Sequence, residues 1–206
     1  GSGIMVTGAN EGRDLLEETE DQRMDLSDQD VFDIDQITIS APPYQRSDIV
    51  VNSGLEPHEA PIPQLADLVT QIVEKEGPIH VEELARRVSA AFGRTRAGRR
   101  IIEVTKTAAS TAKRNSNGEL LSSGSFLLSR AQSETPPVRD RSDESGNVVK
   151  AAYLPPMEIH AASEKIVDEC GAMEMDDLVR AIARLLGFKR VGSDLNKIIV
   201  DTLSRN

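Results

Sequence analysis

Two stretches of this chain match each other without a gap at a constant offset of 94 residues, and that regularity limits the folds open to it. Ile72-Val73 aligns with Ile166-Val167, Gly77 with Gly171, Glu82-Glu83-Leu84 with Asp176-Asp177-Leu178, and Arg86 with Arg180. The match continues through Val88 and Ile182, Gly93 and Gly187, Arg96 and Arg190, Gly98 and Gly192, Ile101 and Leu195. The matched positions are loop glycines and apolar residues at helical spacing, so the repeated object is a helix-turn-helix scaffold. With 206 residues, 38% of them apolar, the chain has material for one ordinary core or two small ones. Aromatic residues make up only 3% and tryptophan is absent, so cores must be built from Leu, Ile, Val and Ala, which suits packed helices and not a β-sandwich.

In the first copy, Leu65, Leu68, Val69, Ile72 and Val73 recur at i, i+3, i+4, i+7 and i+8, one apolar helix face that Gly77-Pro78 ends. Val81, Leu84, Ala85, Val88 and Phe92 line a second helix, with Glu82 and Glu83 in its first turn, where the dipole favours acids, and Gly93 as its stop. A third helix is predicted from Ala97 to Lys113, with Ile101, Thr105, Ala108 and Ala112 inward. Two short strands follow around Ser123-Gly124, residues 119–122 and 125–128, a hairpin signature. Pro78-Ile79-His80 supplies a short earlier strand. Three helices and then a hairpin is the order of a winged helix, so the fold expected is mainly α with a short β-hairpin, in tandem winged-helix or helix-turn-helix modules.

The expected boundaries are an acidic leader, linker or docked arm at 1–60, module one at 61–130, a connector at 131–156 and module two at 157–206. Ile159, Ala162, Ile166 and Val167 line the first helix of module two; Met175, Leu178, Val179, Ile182, Leu185 and Leu186 its second; Leu195, Ile198, Ile199 and Leu203 its third. Asn206 is the counterpart of Ala112, so this copy is expected to be wingless or cut short before its hairpin.

Charge is distributed unevenly. Residues 1–56 carry thirteen acids against Arg13, Arg23 and Arg46, which accounts for the whole net charge of −10. A leader so acidic, broken by Pro42-Pro43 and Pro61, reads as disordered or as an arm laid on a neighbour, with Val31, Phe32, Ile34, Ile37 and Ile39 as its apolar anchor. Residues 86–114, in contrast, hold nine Lys and Arg and one acid, Glu103. Gly1-Ser2 has the look of a cloning scar. No apolar run approaches a membrane span and the start lacks a signal-peptide layout, so the expected location is cytoplasmic, with no membrane partner. A single cysteine, Cys170, fits a reducing compartment.

Three segments carry a family resemblance: residues 73–87 (VEKEGPIHVEELARR), 137–142 (PVRDRS) and 186–190 (LGFKR). Together they resemble the C-terminal domain of unknown function of large bacterial superfamily I DNA helicases that also carry a Vsr-like or restriction-type nuclease domain. The resemblance covers about residues 61–206. It implies a place in a DNA-processing machine serving restriction or defence, with the other domains of the parent helicase as partners, and it carries no active-site residue onto this sequence.

Motifs for chemistry are sparse. No Gly-Lys pair occurs, so the phosphate loop of a motor is missing. Asp140, Asp143 and Glu144, interleaved with Arg139 and Arg141, read as a solvated linker rather than a metal site. His58, His80 and His160 are too far apart for a structural zinc site; His80 is expected to close the first strand or cap the second helix, and Cys170 to be a buried thiol. No enzyme activity, cofactor, metal or small-molecule substrate is expected. The third helix of module one is the candidate site, since 100° per residue turns Arg99, Glu103, Lys106 and Ser110 away from its core face. The expected DNA-binding residues are Arg94, Arg96, Arg99, Arg100, Lys106, Lys113 and Arg114, with Lys189, Arg190 and Lys197 secondary. The first reading is a non-catalytic accessory region holding duplex or forked DNA. The alternatives are a protein-docking module, favoured for module two by the acids of its first helix (Glu158, Glu164, Asp168, Glu169) and Glu174, and a transcriptional regulator.

Overall fold

The computed structural model describes residues 38–205. The leader up to residue 37, with Val31, Phe32, Ile34 and Ile37 of the apolar anchor, lies outside the described residues. What is described is mainly helical, with one small three-stranded antiparallel sheet.

Helix α1 (Ile62–Glu76) starts on Pro61 with Pro63 in its first turn, where a missing N–H costs nothing, and turns Leu65, Leu68, Val69, Ile72 and Val73 into the core. Strand β1 (Ile79–His80) leads directly into α2 (Val81–Ala91), whose N-cap is the His80 ring. Helix α3 (Arg99–Asn115) buries Thr105, Ala108, Ala109 and Ala112; small residues there let it approach α1 and α2 closely. It starts two residues later than the sequence predicts, because Gly98 is the N-cap. Strands β2 (Leu120–Ser123) and β3 (Phe126–Ser129) form a hairpin, and β3 pairs with β1 in the register Ile79 with Leu127 and His80 with Phe126. Leu120 and Leu127 reach down from the hairpin to close the first core. The short α4 (Arg130–Glu134) follows, and its Gln132 amide Nε2 donates to Glu74 O and to Val73 O, which also accepts from Gly77 N, fastening α4 to the end of α1.

Helices α5 (Pro156–Cys170), α6 (Met175–Leu185) and α7 (Ser193–Leu203) build a second core around Ile159, Ile166, Ile182, Leu186 and Ile199. Both ends of α5 and of α6 fall 94 residues after those of α1 and α2, and α7 begins 94 residues after α3. The N-caps Gly98 and Gly192 share their backbone angles, φ −74 and ψ 172 against φ −79 and ψ 171. Two positions expected on the core face are instead partly open to solvent: Val167 is 37% exposed and Met175 41%.

Residues 38–60 lie along the body. Ile39 and Ala41 pack on the second core, Ile49 and Val51 on the first, and Val51 N donates to Ala91 O at 2.8 Å. Between the two cores, Pro43 bridges to Asp140 in parallel, with Tyr44 N donating to Asp140 O and Asp140 N to Pro42 O, each at 2.8 Å. No described helix is long and apolar enough to cross a membrane.

Candidate nucleic-acid interface

The outward face of α3 follows from its core face. With Thr105, Ala108 and Ala112 fixed inward, Arg99, Arg100, Glu103, Lys106, Ser110, Lys113 and Arg114 are all exposed. The first turn of α3 contains no acid, whereas α2 has Glu82 and Glu83 there, α6 has Asp176 and Asp177, and α7 has Asp194. The positive end of α3 is therefore met by Arg99 and Arg100, charge of the same sign, and not by an acid. The hairpin stands beside the other end, where Lys113 Nζ donates to Ser122 Oγ at 2.6 Å. The hairpin's own tip, Ser122-Ser123-Gly124-Ser125, is exposed and offers hydroxyls.

The basic residues are not equally available. Arg94 is ion-paired with Glu56 of the arm, and Arg100 Nη1 lies 3.3 Å from His58 Nε2. Lys106 pairs with Glu103 at 3.2 Å, and Arg114 Nη2 donates to Thr111 Oγ1 at 3.3 Å; both pairs are solvent-exposed and weak. Arg96 and Arg99 have no side-chain partner among the described residues. Arg86 lies near Glu83 at 3.8 Å, and Arg87, counted in the basic stretch, is buried. In the second half, Lys189, Arg190 and Lys197 are exposed, but Lys197 pairs with Asp201 at 2.9 Å and the first turn of α7 carries Asp194.

A buried ionic cluster joins the arm, α1, α2, the connector and α5, and reading the sequence for solvated charges misses it. Arg139 and Arg141 are not in a solvated linker: both are buried, as is Glu158, which the sequence places on an acidic outer surface. Glu158 sits in the first turn of α5 and accepts from Arg139 Nη2 at 2.7 Å, Arg141 Nη1 at 2.8 Å, Arg141 Nη2 at 2.6 Å and the Arg139 backbone N–H at 2.9 Å. Burial pushes its carboxyl up, but the two guanidiniums outweigh burial and hold it below the ordinary glutamate range. Arg139 also donates to Glu76 O at 2.6 Å and Pro78 O at 3.1 Å, capping the negative end of α1. On the first half's side, Glu76 accepts from Arg87 Nε at 2.8 Å, from Tyr44 Oη at 3.0 Å and from Ser47 N at 2.7 Å, and Arg87 reaches Glu83 at 2.8 Å. The Tyr44 ring lies against both connector guanidiniums, 4.8 Å from Arg139 Cζ and 5.3 Å from Arg141 Cζ. Three carboxylates and three guanidiniums thus balance. Glu83 Oε2, Arg87 Nη2 and Arg141 Nε find no hydrogen-bond partner among the described residues, and a cavity of about 10 Å³, room for one water, borders Glu83 and Arg141.

His80 does both things expected of it: it pairs in β1, and its Nδ1 accepts from Glu82 N at 3.2 Å to cap α2. Its ring meets Phe126 and Tyr153 edge-on, and burial lowers its pKa. Tyr153 donates to Glu82 at 2.6 Å, and that hydrogen bond, with some burial, pushes the phenol up to about 12. Cys170 is a free thiol that is only half buried, against the expectation of a buried one, because the face of α5 that holds it is incompletely covered. Among the described residues no group of three or more His, Cys, Asp or Glu is placed to hold a metal ion.

No curated protein and no solved structure matches the chain. A family model does: the one described as a protein of unknown function (DUF3320) matches residues 56–103, from the arm's Glu56 through α1, β1 and α2 into the first turns of α3.

Proposed function

We propose that this chain is a non-catalytic DNA-binding accessory region, in which α1–α3 and the β1–β3–β2 sheet act as a winged helix that lays α3 on duplex or forked DNA. On this reading α5–α7 are a second copy of the same helical scaffold, and the whole serves a larger DNA-processing protein, as the resemblance to the C-terminal domain of superfamily I helicases implies. The observation that carries the reading is the outer face of α3, where Arg99, Arg100, Lys106, Lys113 and Arg114 surround a single acid next to a hairpin. Arg99 and Arg100 at the unneutralised helix start suit phosphate, Lys106 and Ser110 the groove, and the serines of the hairpin tip the backbone beyond.

Fluorescence anisotropy with labelled duplex and forked DNA tests it. Binding that weakens steeply between 50 and 200 mM salt is expected, since each phosphate contact steepens the slope by about 0.9. An unchanged anisotropy at micromolar protein and low salt overturns it.

The second reading, a protein-docking module, is favoured by one observation: arm residues Glu56 and His58 already occupy Arg94 and Arg100. The variant Glu56→Gln separates the two. Releasing Arg94 strengthens DNA binding if the face is for DNA, and leaves the anisotropy unmoved if it is for protein.

A further inference from the structure

The loops that lead into α3 and α7 are held in place by different means. In the second half, residues 187–192 include Phe188 and Val191, and both side chains pack on the second core. Their counterparts at the 94-residue offset are Arg94, an exposed cation, and Ala97, whose methyl group offers little to pack. The first loop, residues 93–98, therefore lacks the apolar anchors of the second and shows Arg94 and Arg96 to solvent.

What holds the first loop comes from α2 beneath it. Ser89, in the last turn of α2 and 0% exposed, donates from Oγ to Arg96 O at 2.6 Å, and its own carbonyl accepts from Arg94 N at 3.0 Å. The backbone bond recurs in the second half, where Phe188 N donates to Ala183 O at 2.9 Å. The side-chain bond cannot recur, because the counterpart of Ser89 is Ala183. Ala183 is 1% exposed, so a methyl group serves at this position of a closed core and packing requires no oxygen there. A buried hydroxyl is costly unless it is hydrogen-bonded, and this one makes its bond to the carbonyl of an exposed arginine.

From these two observations together we infer that Ser89 is a positioning residue for DNA: by holding Arg96 O it orders the loop, so that the Arg96 side chain meets a phosphate from a fixed backbone. The inference rests on the DNA-binding reading above. Anchoring has passed from the loop's own side chains to α2, and that exchange frees the loop positions for cations. Without the hydroxyl the loop would lose backbone freedom only on binding, and the loss would weaken the Arg96 contact. Ser89 is buried and acts through Arg96 alone.

The test is a double-mutant cycle on the full 206-residue chain. Ser89→Ala, Arg96→Gln and the double variant are titrated against labelled duplex DNA by fluorescence anisotropy between 50 and 200 mM salt. Arg96→Gln is expected to reduce the salt slope by about 0.9, the value of one phosphate contact, with about a fivefold loss of affinity. Ser89→Ala should reduce the slope in the same direction and weaken binding about threefold, and the double variant should bind no more weakly than Arg96→Gln alone. A Ser89→Ala loss with the wild-type slope, or losses that multiply in the double variant, overturns the inference. Wild-type chain that does not bind removes the DNA reading and the inference with it; wild-type chain that binds, with Ser89→Ala matching it in slope and affinity, removes the inference alone. If Ser89→Ala loses the native far-UV CD spectrum, Ser89→Cys, close in shape and a weak donor, takes its place in the cycle. Loss of that spectrum in both variants makes Ser89 a residue of the fold and equally overturns the inference.

Discussion

The two halves share their helix bounds and differ in almost everything laid over them. In the first, a hairpin closes the core beside a basic α3; in the second, Ile39 and Ala41 from the arm and Val138, Ala151 and Leu154 from the connector pack into the core, and Val167 and Met175 stay partly open to solvent. The helix starts diverge as well: Arg99 and Arg100 open α3 where Ser193 and Asp194 open α7. The contrast teaches that apolar spacing and loop glycines set the scaffold, while the residues that do not repeat decide what each copy can bind.

The largest expected effect comes from the element that joins the halves. Glu158→Ala leaves Arg139 and Arg141 buried without a counter-charge, and a loss of about 3–5 kcal/mol in urea denaturation is expected. The loop glycines sharpen the comparison next. Gly93 and Gly187 both have positive φ, 74 and 83, but a Cβ on Gly93 meets open space whereas one on Gly187 collides with the backbone nitrogens of Ser142 and Arg141. Gly93→Ala is expected to cost about 1–2 kcal/mol for the left-handed conformation alone. Gly187→Ala is expected to cost clearly more, because the connector must move and break the 2.9 Å bond from Arg141 N to Leu186 O.

Smaller effects separate the cores. Val73→Ala, at a fully buried site, is expected to lose about 2 kcal/mol, and Val167→Ala below about 1 kcal/mol; equal losses would show that Val167 is covered after all. The smallest expected effect is on pH dependence. Because the carboxyl of Glu158 is held below its ordinary value of 4.5, its ionised form contributes stability that is fully present above that pH and lost as pH falls through the lower folded value. Urea midpoints measured from pH 7 to 3 should fall in the acid limb, and Glu158→Gln should flatten that part of the fall.

Much of the fold is legible in the sequence for a local reason. Helix stops at Gly77, Gly93, Gly171 and Gly187, and apolar residues every three or four positions, act within one or two turns, so α1, α2, α5 and α6 and the hairpin can be read directly. The outward basic face of α3 follows from the same arithmetic. The pairings that tie it down do not: Glu56 and Arg94 are 38 residues apart, Arg100 and His58 42, and nothing local announces either. Arg139, Arg141 and Glu158 are misread for the same reason, since a charged run is solvated unless a distant partner neutralises it. One local signal was present. In an extended segment after Pro136-Pro137, alternation puts Arg139 and Arg141 on one side and Asp140 on the other, the pattern of a strand with a buried charged face.

The cluster around Glu158 and Tyr44 has a consequence for how the chain tolerates cutting. Ser142, Asp143, Ser145 and Gly146 are exposed, so a protease reaches the connector there. Both arginines that hold the Glu158 carboxylate lie before that point and Glu158 itself after it, with the arm's Tyr44 wedged against both guanidiniums. A molecule nicked between residues 142 and 146 should therefore elute as one particle on gel filtration and come apart into two fragments only in denaturant: the peptide bonds of the connector are dispensable to the assembly that its arginines hold.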